Sequence, residues 1–593
     1  MFGLINDFIM KDFLSLYFIF IILIVGIPVV IYSVGYIDEY KEKYSIKYFW
    51  FILISFIFSM MGVVLSTNSI EFVIFWELMS VFSFFLVIYE YDKKENIKSG
   101  IMYFIMTRIS GLFLIIMFII IAKFTNSTDF KTIMLYAPNL SSNQNVVILI
   151  FSLLAFGSKA GLVPFHAWLP KAHPAAPSNV SALMSGVMLK VAIYGFIRIN
   201  FTFLDKIPLE YDVAIVIVGT FTAIFAIINA LPQNDIKKIL AYSSAENIGI
   251  IFAALGLSLI LSSYGFTALS LLTLTAALFH SLNHAIFKSL LFTCSGSVLY
   301  ATSSKNINEL GGLYNKMKLS AFNALIGTLA ISAVPPLNGF ASEILIFKNF
   351  VEASTIINNP SIMISIFFCG ILLALTSGGV VWVSIKNFGL TYLGKPRTNK
   401  AITIKKIPKS MNIGMSILSL YAIVLGIFSP FFITYIYNEI STLLNLDLAL
   451  NVYNFGIEIT LFSGIIILIS MVIYFLTKFS SHGEKVEIND TWSCGFNNPD
   501  ETMQYSSNGF TQPASRLFGQ FTNYKKEVRL KETVFLKQST EDLIEKYIYS
   551  SIIGFFNHIA LKINKMHYGK IQIYISYIFI TLIVSLFLVL NFI

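Results

Sequence analysis

Apolar runs long enough to cross a bilayer follow one another along almost the whole chain, and they limit its fold more than any other feature. They fall at 13–35, 46–66, 69–89, 100–123, 144–170, 176–200, 212–231, 237–260, 265–300, 319–350, 362–390, 411–435, 452–478 and 571–592. A helix needs roughly 20 apolar residues to span the hydrocarbon, so about fourteen transmembrane helices are expected. Only 12% of the 593 residues are charged and 56% are hydrophobic, where a soluble domain carries about a quarter charged residues. Without water to satisfy the backbone, spans of this length read as helices. The expected class is an all-α polytopic membrane protein.

Two of the runs are interrupted by proline, and each carries one charge. The first reads Gly157-Ser-Lys159-Ala-Gly-Leu-Val-Pro164 and continues to Pro170, Pro174 and Pro177. The second reads Val334-Pro335-Pro336-Leu-Asn-Gly339-Phe-Ala-Ser-Glu343. Grouping spans two to six and seven to eleven makes each broken span the fourth of a five-span unit. Five is odd, so the second unit runs inverted, and such paired breaks point to an ion or substrate path. The expected organisation is an N-terminal span (1–45), a first five-helix repeat (46–200) and a second, inverted one (212–390). Two further spans (391–478), a polar cytoplasmic segment (479–570) and a final span (571–593) follow. From Asp542 to Lys570, Ile and Phe alternate with Lys at helical spacing, so an amphipathic surface helix is expected there.

Lysine and arginine set the orientation. Loops after odd-numbered spans hold Lys41, Lys43, Lys93, Lys94, Lys305, Lys395, Arg397 and Lys400, whereas the even loops offer little beyond Lys131 and Lys206. The odd loops are therefore expected inside and both termini outside. The first run leads into Gly35-Tyr-Ile-Asp-Glu39 rather than a small-residue cleavage site, so it reads as a retained span. The net charge of +9 lies in short loops, not in a basic domain, and nucleic acid is not an expected partner. Cys294, Cys369 and Cys494 lie far apart and fit neither a disulfide framework nor an iron–sulfur motif. No cofactor is expected in this chain, and any redox centre must belong to a partner.

Each charge in the hydrocarbon costs roughly 2.5–3.5 kcal/mol on insertion scales, so it needs a partner, water or a task. Glu77 sits mid-span beside a candidate partner, Arg108, and such a pair is also a proton switch. Lys159 precedes the first break, and a buried lysine approaches neutral-range titration, as a proton carrier must. Lys190 lies midway along the next span and is placed to take the next proton. His280, His284 and Lys288 stand at i, i+4 and i+8, within about 80° of one helix face. Histidine titrates near neutrality, so the column suits a relay better than a zinc site, which lacks its glutamate and third ligand. Glu343 follows the second break as an acid mirroring the base Lys159, and Glu246 lies roughly 14 Å inside its span. Lys386 reads as a snorkelling residue near a span end. His166 and His173 flank the first break, suited equally to bonding freed backbone and to proton exchange. No nucleophile triad, phosphate-cradling loop or dense metal cluster is legible, so the chemistry is proton movement.

At these residues the chain resembles the antiporter-like subunits shared by respiratory complex I, Mrp-type sodium/proton antiporters and energy-converting nickel–iron (NiFe) hydrogenases. The resemblance rests on Tyr32-Ser-Val-Gly-Tyr36, Trp76-Glu-Leu78, Lys159 through Trp168-Leu-Pro170, Gln233-Asn-Asp-Ile-Lys237 with Leu240-Ala-Tyr-Ser-Ser244, and His280 through Lys288. It covers most of residues 10–390. It implies inverted five-span repeats, and proton roles at Glu77, Lys159, Lys190, the histidine column and Glu343. Ala245-Glu246-Asn247, and Pro335-Pro-Leu-Asn-Gly-Phe340 with Glu343, are similar to the hydrogenase branch. Quinone-linked relatives usually lack that first glutamate, and the largest of them has lysine at the second. The tail, Trp492-Ser-Cys-Gly-Phe496 with Met503-Gln-Tyr505, resembles the large membrane subunit of formate hydrogenlyase and hydrogenase-4 complexes. Longer relatives carry extra spans ahead of the point where this chain starts, outside the repeats.

The resemblance implies an ion-translocating subunit in a bacterial or archaeal cell membrane. Hydrophilic electron-transfer partners would hold the Ni-Fe and iron-sulfur centres, and other membrane subunits would flank it. The competing expectations are an Mrp-type cation/proton antiporter subunit, a proton-pumping subunit of an NADH-quinone oxidoreductase, and a structural anchor whose charged row is residual.

Overall fold

The computed structural model describes residues 12–204, 207–444, 452–480, 503–530 and 534–565, with Met10, Leu446 and Gly495. Among these, 12 helices are long and apolar enough to cross a membrane. The chain is a nearly all-helical, multi-pass membrane protein. Helix α1 (Phe13–Tyr36) is capped by Asp12, whose carboxylate accepts the Ser15 N–H at 2.9 Å. Ser45 and Asn68 cap α2 (Ile46–Leu65) and α3 (Ser69–Val87) in the same way, and α4 (Lys94–Thr125) follows.

The fifth apolar run is two helices, α5 (Ser142–Ala160) and α6 (Leu169–Ala175), parted around Pro164. Helix α5 stops at Gly161, whose φ of +86° disfavours any side chain, and the Gly161 N–H bonds back to Gly157 O at 2.9 Å. The sixth run starts as α7 (Ser178–Leu183), widens into a π-helical turn at Met184–Met188 and continues as α8 (Leu189–Thr202). Helices α9 (Leu209–Ala230), α10 (Ile236–Ser263) and α11 (Thr267–Thr302) are unbroken.

The tenth run again divides, into α12 (Lys318–Ile331) and α13 (Asn338–Ile356), with Pro335 and Pro336 in the gap. Neither half qualifies alone as a spanning helix, which is why this expected span is missing from the twelve. Helices α14 (Pro360–Tyr392), α15 (Lys409–Ile427), α16 (Ser429–Leu443) and α17 (Val452–Ser480) complete the bundle. The apolar run at 411–435 is thus not one helix. Pro430 sits in the first turn of α16, where its fixed φ starts a helix but cannot continue the previous one. The expected span at 571–592 and most of the Trp492–Phe496 motif lie outside the described residues.

The chain divides into two compact units, residues 1–519 and 520–593. The first also contains α18 (Ser507–Phe518). The second contains an antiparallel hairpin, β1 (Lys525–Leu530) with β2 (Val534–Ser539), and the helix α19 (Ser550–Lys565). A helix was the expectation for 542–570, whereas the hairpin is an addition that the polar composition of 525–539 does not signal.

Helix α11 is the centre of the first unit, packing against α1, α7, α10, α12, α13, α15 and α16. The helices carrying Lys190, Glu246 and the histidine column are the most enclosed. Their apolar windows are 100%, 94% and 94% buried, against 39% for α3, which carries Glu77. The titratable row therefore starts at the flank of the bundle and ends in its interior.

Candidate ion pathway

Lys159, the penultimate residue of α5, is fully buried, and its ammonium donates to Ser80 Oγ at 2.9 Å and Tyr103 Oη at 3.4 Å. The rings of Trp76 and Tyr103 lie 5.9 and 5.5 Å from Nζ, close enough for cation–π attraction. Among the described residues no carboxylate hydrogen-bonds this ammonium. Glu77 turns instead to Arg108 of α4 and forms an ion pair, from which both residues act on Lys159 through space. The side chains of the pair are 25% and 35% exposed, so it opens onto the lateral face of the bundle. Gly111 makes the room, since a Cβ there would run into the Glu77 carboxylate.

His280, His284 and Lys288 are fully buried on α11. His280 ties three helices together. Its Nδ1 lies 2.9 Å from Ser342 Oγ of α13, and its Nε2 lies 3.2 Å from Asn247 Oδ1 of α10. The Asn247 amide donates to the Glu246 carboxylate. Ser342 adjoins Glu343, whose Oε2 accepts from Ser377 Oγ of α14 at 3.1 Å. One imidazole therefore joins the immediate neighbours of two buried acids. His284 lies parallel to His280 at 6.4 Å between centroids, and neither of its ring nitrogens has a hydrogen-bond partner among the described residues. Leaving buried polar atoms unmatched costs about 1–3 kcal/mol each, so such a group wants an explanation. Lys288 donates to Ser243 Oγ and, at 3.2 Å, to Leu240 O, both on α10. Glu343 and Lys288 both act electrostatically on Glu246.

Lys190 stands between the two groups. It leaves the π-helical turn and donates to Ser185 O at 2.8 Å, a carbonyl the widened turn makes available. Ser185 Oγ is 2.7 Å from Ser244 Oγ of α10. Lys190 acts through space on His280 and His284, and Lys288 acts on it in turn. The nine expected residues thus form a flank group of Glu77, Arg108 and Lys159, and an inner group of Lys190, Glu246, His280, His284, Lys288 and Glu343. Tyr103 links them: its hydroxyl meets Lys159 and also donates to Met188 Sδ at 3.4 Å, two residues before Lys190.

Lys386 does not snorkel. It is fully buried and donates to Leu231 O at 2.8 Å, Gln233 O at 2.6 Å and Thr511 Oγ1 at 3.0 Å. The two carbonyls ending α9 and the hydroxyl of α18 hold the charge in place of water. His173 stacks between Trp168 and Phe292, and its ring nitrogens have no hydrogen-bond partner among the described residues, so it does not satisfy freed backbone. His166 packs edge-on against Phe225. Sequence reasoning missed three features. Asn247 and Ser342, the bridges to His280, are neutral, and their only signal was adjacency to Glu246 and Glu343. Lys237 is buried with its ammonium on Ala176 O, where the first broken span ends. Asp12 and Arg198 form an ion pair reinforced by Ser15 Oγ at 3.1 Å, pinning α1 to α8.

Residues 66–373 match the family described as NADH:quinone oxidoreductase/Mrp antiporter, transmembrane. Hydrogenase-4 component B of Escherichia coli (strain K12) is 30% identical over 97% of this chain and 88% of its own length. Formate hydrogenlyase subunit 3 of the same organism is 27% identical over 78% of this chain and 74% of its own. Among solved structures, a chain of the membrane-bound sulfane sulfur reductase, an archaeal respiratory membrane complex, superposes with a TM-score of 0.75 at 25% identity, covering 96% of this chain and 88% of that one. With its broken helices and buried charged row, this chain belongs to the NADH:quinone oxidoreductase/Mrp antiporter family of membrane subunits.

Proposed function

We propose that this chain is the ion-translocating membrane subunit of an energy-converting NiFe-hydrogenase complex of the hydrogenase-4 or formate hydrogenlyase kind. It moves protons, or sodium ions, while partner subunits holding Ni-Fe and iron-sulfur centres pass electrons to protons. Residues 46–200 and 212–390 act as two inverted five-helix units, with the lysine-rich loops inside and both termini outside. The observation that carries this reading is the His280 bridge, which puts a proton-exchanging ring between Asn247–Glu246 and Ser342–Glu343. The likeness to hydrogenase-4 component B along nearly the whole chain supports the choice of complex.

Redox turnover in the partners shifts the charge beside Glu77, at the open flank. Glu77 then exchanges Arg108 for Lys159 while Lys159 takes up a proton. When Glu77 returns to Arg108, the uncompensated ammonium gives that proton by Tyr103 to Lys190. From Lys190 it moves through His284 and His280, each taking a proton on one ring nitrogen and releasing one from the other, to Glu246 and Glu343. Moving one charge against 100 mV takes roughly 2.3 kcal/mol. An ion pair at about 4 Å in an effective dielectric near 20 is worth about 4 kcal/mol, so one exchange of partner is sufficient.

The likeness to the sulfane sulfur reductase chain favours a second reading, in which the same path serves a complex whose electrons go to sulfur. An Mrp-type antiporter subunit would need no redox partner at all. The test is purification of the intact complex, identification of its subunits, and parallel assays of hydrogen evolution, sulfur reduction and ion uptake in proteoliposomes. Hydrogenase subunits with hydrogen-driven ion uptake are expected. A complex without redox subunits overturns the reading, and a Lys159→Ala complex that still drives ion uptake removes Lys159 from the path.

A further inference from the structure

The motif Tyr32-Ser-Val-Gly-Tyr36 takes no part in the pathway above, yet its hydroxyls line up. Tyr32, Tyr36, Tyr40 and Tyr44 recur every fourth residue at the end of α1 and the turn after it, so they share one face. Their rings follow one another in tilted contact, with centroids 5.4 Å apart for Tyr32–Tyr36 and 5.9 Å for Tyr36–Tyr40. Tyr40 Oη donates to Glu90 Oε1 at 3.2 Å and lies 3.5 Å from Tyr36 Oη. Tyr36 Oη in turn accepts the Ser178 N–H at 3.3 Å, at the start of α7. Glu90 sits at the lysine-rich face, its side chain 13% exposed and its second carboxylate oxygen on Lys93.

The line continues inward. Tyr32 Oη lies 3.5 Å from Ser297 Oγ of α11. The buried Ser178 hydroxyl has no hydrogen-bond partner among the described residues, and it converges with Tyr32 on the bare Cα of Gly296. A Cβ there would stand 2.5 Å from Tyr32 Oη and 3.1 Å from Ser178 Oγ, so only glycine leaves that gap open. Along α11, Ser297, Thr293 and Ser289 follow at four-residue steps, a rise of about 6 Å each. Ser289 Oγ donates to Ala182 O at 3.1 Å, next to the π-helical turn that presents Lys190, and Ser289 adjoins Lys288.

We propose that Tyr40, Tyr36 and Tyr32 form the port through which protons from the lysine-rich face reach the Lys190–Lys288 group, with Glu90 as the collecting carboxylate. A proton taken up by Glu90 passes to Tyr40 Oη as the proton already there moves on to Tyr36. Tyr36 gives its own proton, through a water bridging the gap beside Gly296, to Tyr32, which passes one on to Ser297. Each hydroxyl thus gains one proton and gives one up, and no residue is left ionised. The proposal rests on the translocating role argued above, and the experiment separates the two.

The intact complex is reconstituted in proteoliposomes with Tyr36→Phe, Tyr40→Phe or Glu90→Gln. Phenylalanine keeps the ring contacts and removes only the hydroxyl. Ion uptake is expected to fall about tenfold in each, because water replaces a lost hydroxyl only in part. Redox turnover in detergent should stay unchanged, and the solvent deuterium isotope effect on uptake should rise. Wild-type rates in Tyr36→Phe overturn the port while leaving the translocating role intact. Absence of uptake in the wild-type complex overturns the translocating role itself. Should a tyrosine variant fail to assemble, Glu90→Gln at the loop surface decides, and an unchanged rate there counts against the port.

Discussion

The two broken spans keep one ionisable side chain each, but they hold it by different means. At the first break the charge comes before the gap: Lys159 is bound by two hydroxyls and two aromatic faces, with its nearest carboxylate paired elsewhere. At the second break the charge comes after the gap. Glu343 there accepts from Ser377, and its neighbour Ser342 touches His280. A cation held by rings and hydroxyls can gain or lose a carboxylate partner without rebuilding its surroundings. An acid beside an imidazole bridge is instead fixed in a network. The first break is therefore suited to switching and the second to receiving.

The largest effects should come from removing the two charges. Lys159→Met and Glu343→Gln are each expected to lower ion uptake by about a hundredfold, the scale of one positioned proton-transfer group. If they serve one path, the double variant falls no further than the worse single, because residues acting as a unit are not additive. Multiplying losses in proteoliposome uptake would show two independent routes and break the comparison.

The gaps themselves should differ next. Gly339 lies so close to Ala330 O that a Cβ cannot enter without moving backbone, whereas a Cβ at Gly161 meets the flexible end of Leu169. Gly339→Ala is expected to cost about 1–3 kcal/mol, by overpacking. Gly161→Ala should cost about 1–2 kcal/mol, from its positive φ alone. Thermal unfolding midpoints of the purified complex read the order, and an unperturbed Gly339→Ala would show that the second break yields as readily as the first.

Much of this was legible in the residues before any geometry. The breaks announced themselves through Pro164, Pro335 and Pro336, and the charged row through the cost of leaving Lys159, Lys190 or Glu343 in hydrocarbon. The spacing of His280, His284 and Lys288 placed them on one face. What escaped depends on how helices rotate against each other. Asn247 and Ser342 became bridges only because α10 and α13 turn them toward the same ring. Lys386 looked like a residue reaching for water because its true partners, Leu231 O and Gln233 O, lie about 150 residues away on another helix's end. Tyr103 carried no charge to mark it, and the joint at Phe428 was hidden inside one continuous apolar run.

A smaller effect is expected at the flank. Arg108→Ala leaves Glu77 without its partner on a lateral face that water does not screen, so the carboxylate turns to Lys159 and the cost in stability is about 1–2 kcal/mol. Ion uptake should nevertheless slow, because Glu77 then stays with Lys159 and the switch is lost. Exchanging the pair, Glu77→Arg with Arg108→Glu, should restore stability but not uptake, since the carboxylate would then project from α4 rather than from α3, the helix that carries Ser80. Restored uptake in the exchanged pair would mean that only charge balance matters there.

The smallest effect should come from a clasp in the loop that leads into the second break. Glu309, in the loop before α12, accepts from Lys400 Nζ and Ser304 Oγ, each at 2.8 Å, and Thr398 Oγ1 donates to Glu309 O at 2.7 Å. The Lys400 ammonium holds the Glu309 carboxyl below the ordinary carboxylate range. A depressed value means the stabilisation is present above the unfolded value, about 4.3, and is lost as pH falls through the folded one. Because the pair is exposed to water and salt, Glu309→Gln should cost at most about 0.5 kcal/mol at neutral pH and nothing once the carboxyl is protonated. Unfolding midpoints at pH 7 and pH 3, at low and high salt, measure this. A loss that persists in acid or in salt would show that the clasp acts through the shape of the loop, and that the second break is held from outside the membrane as well as within it.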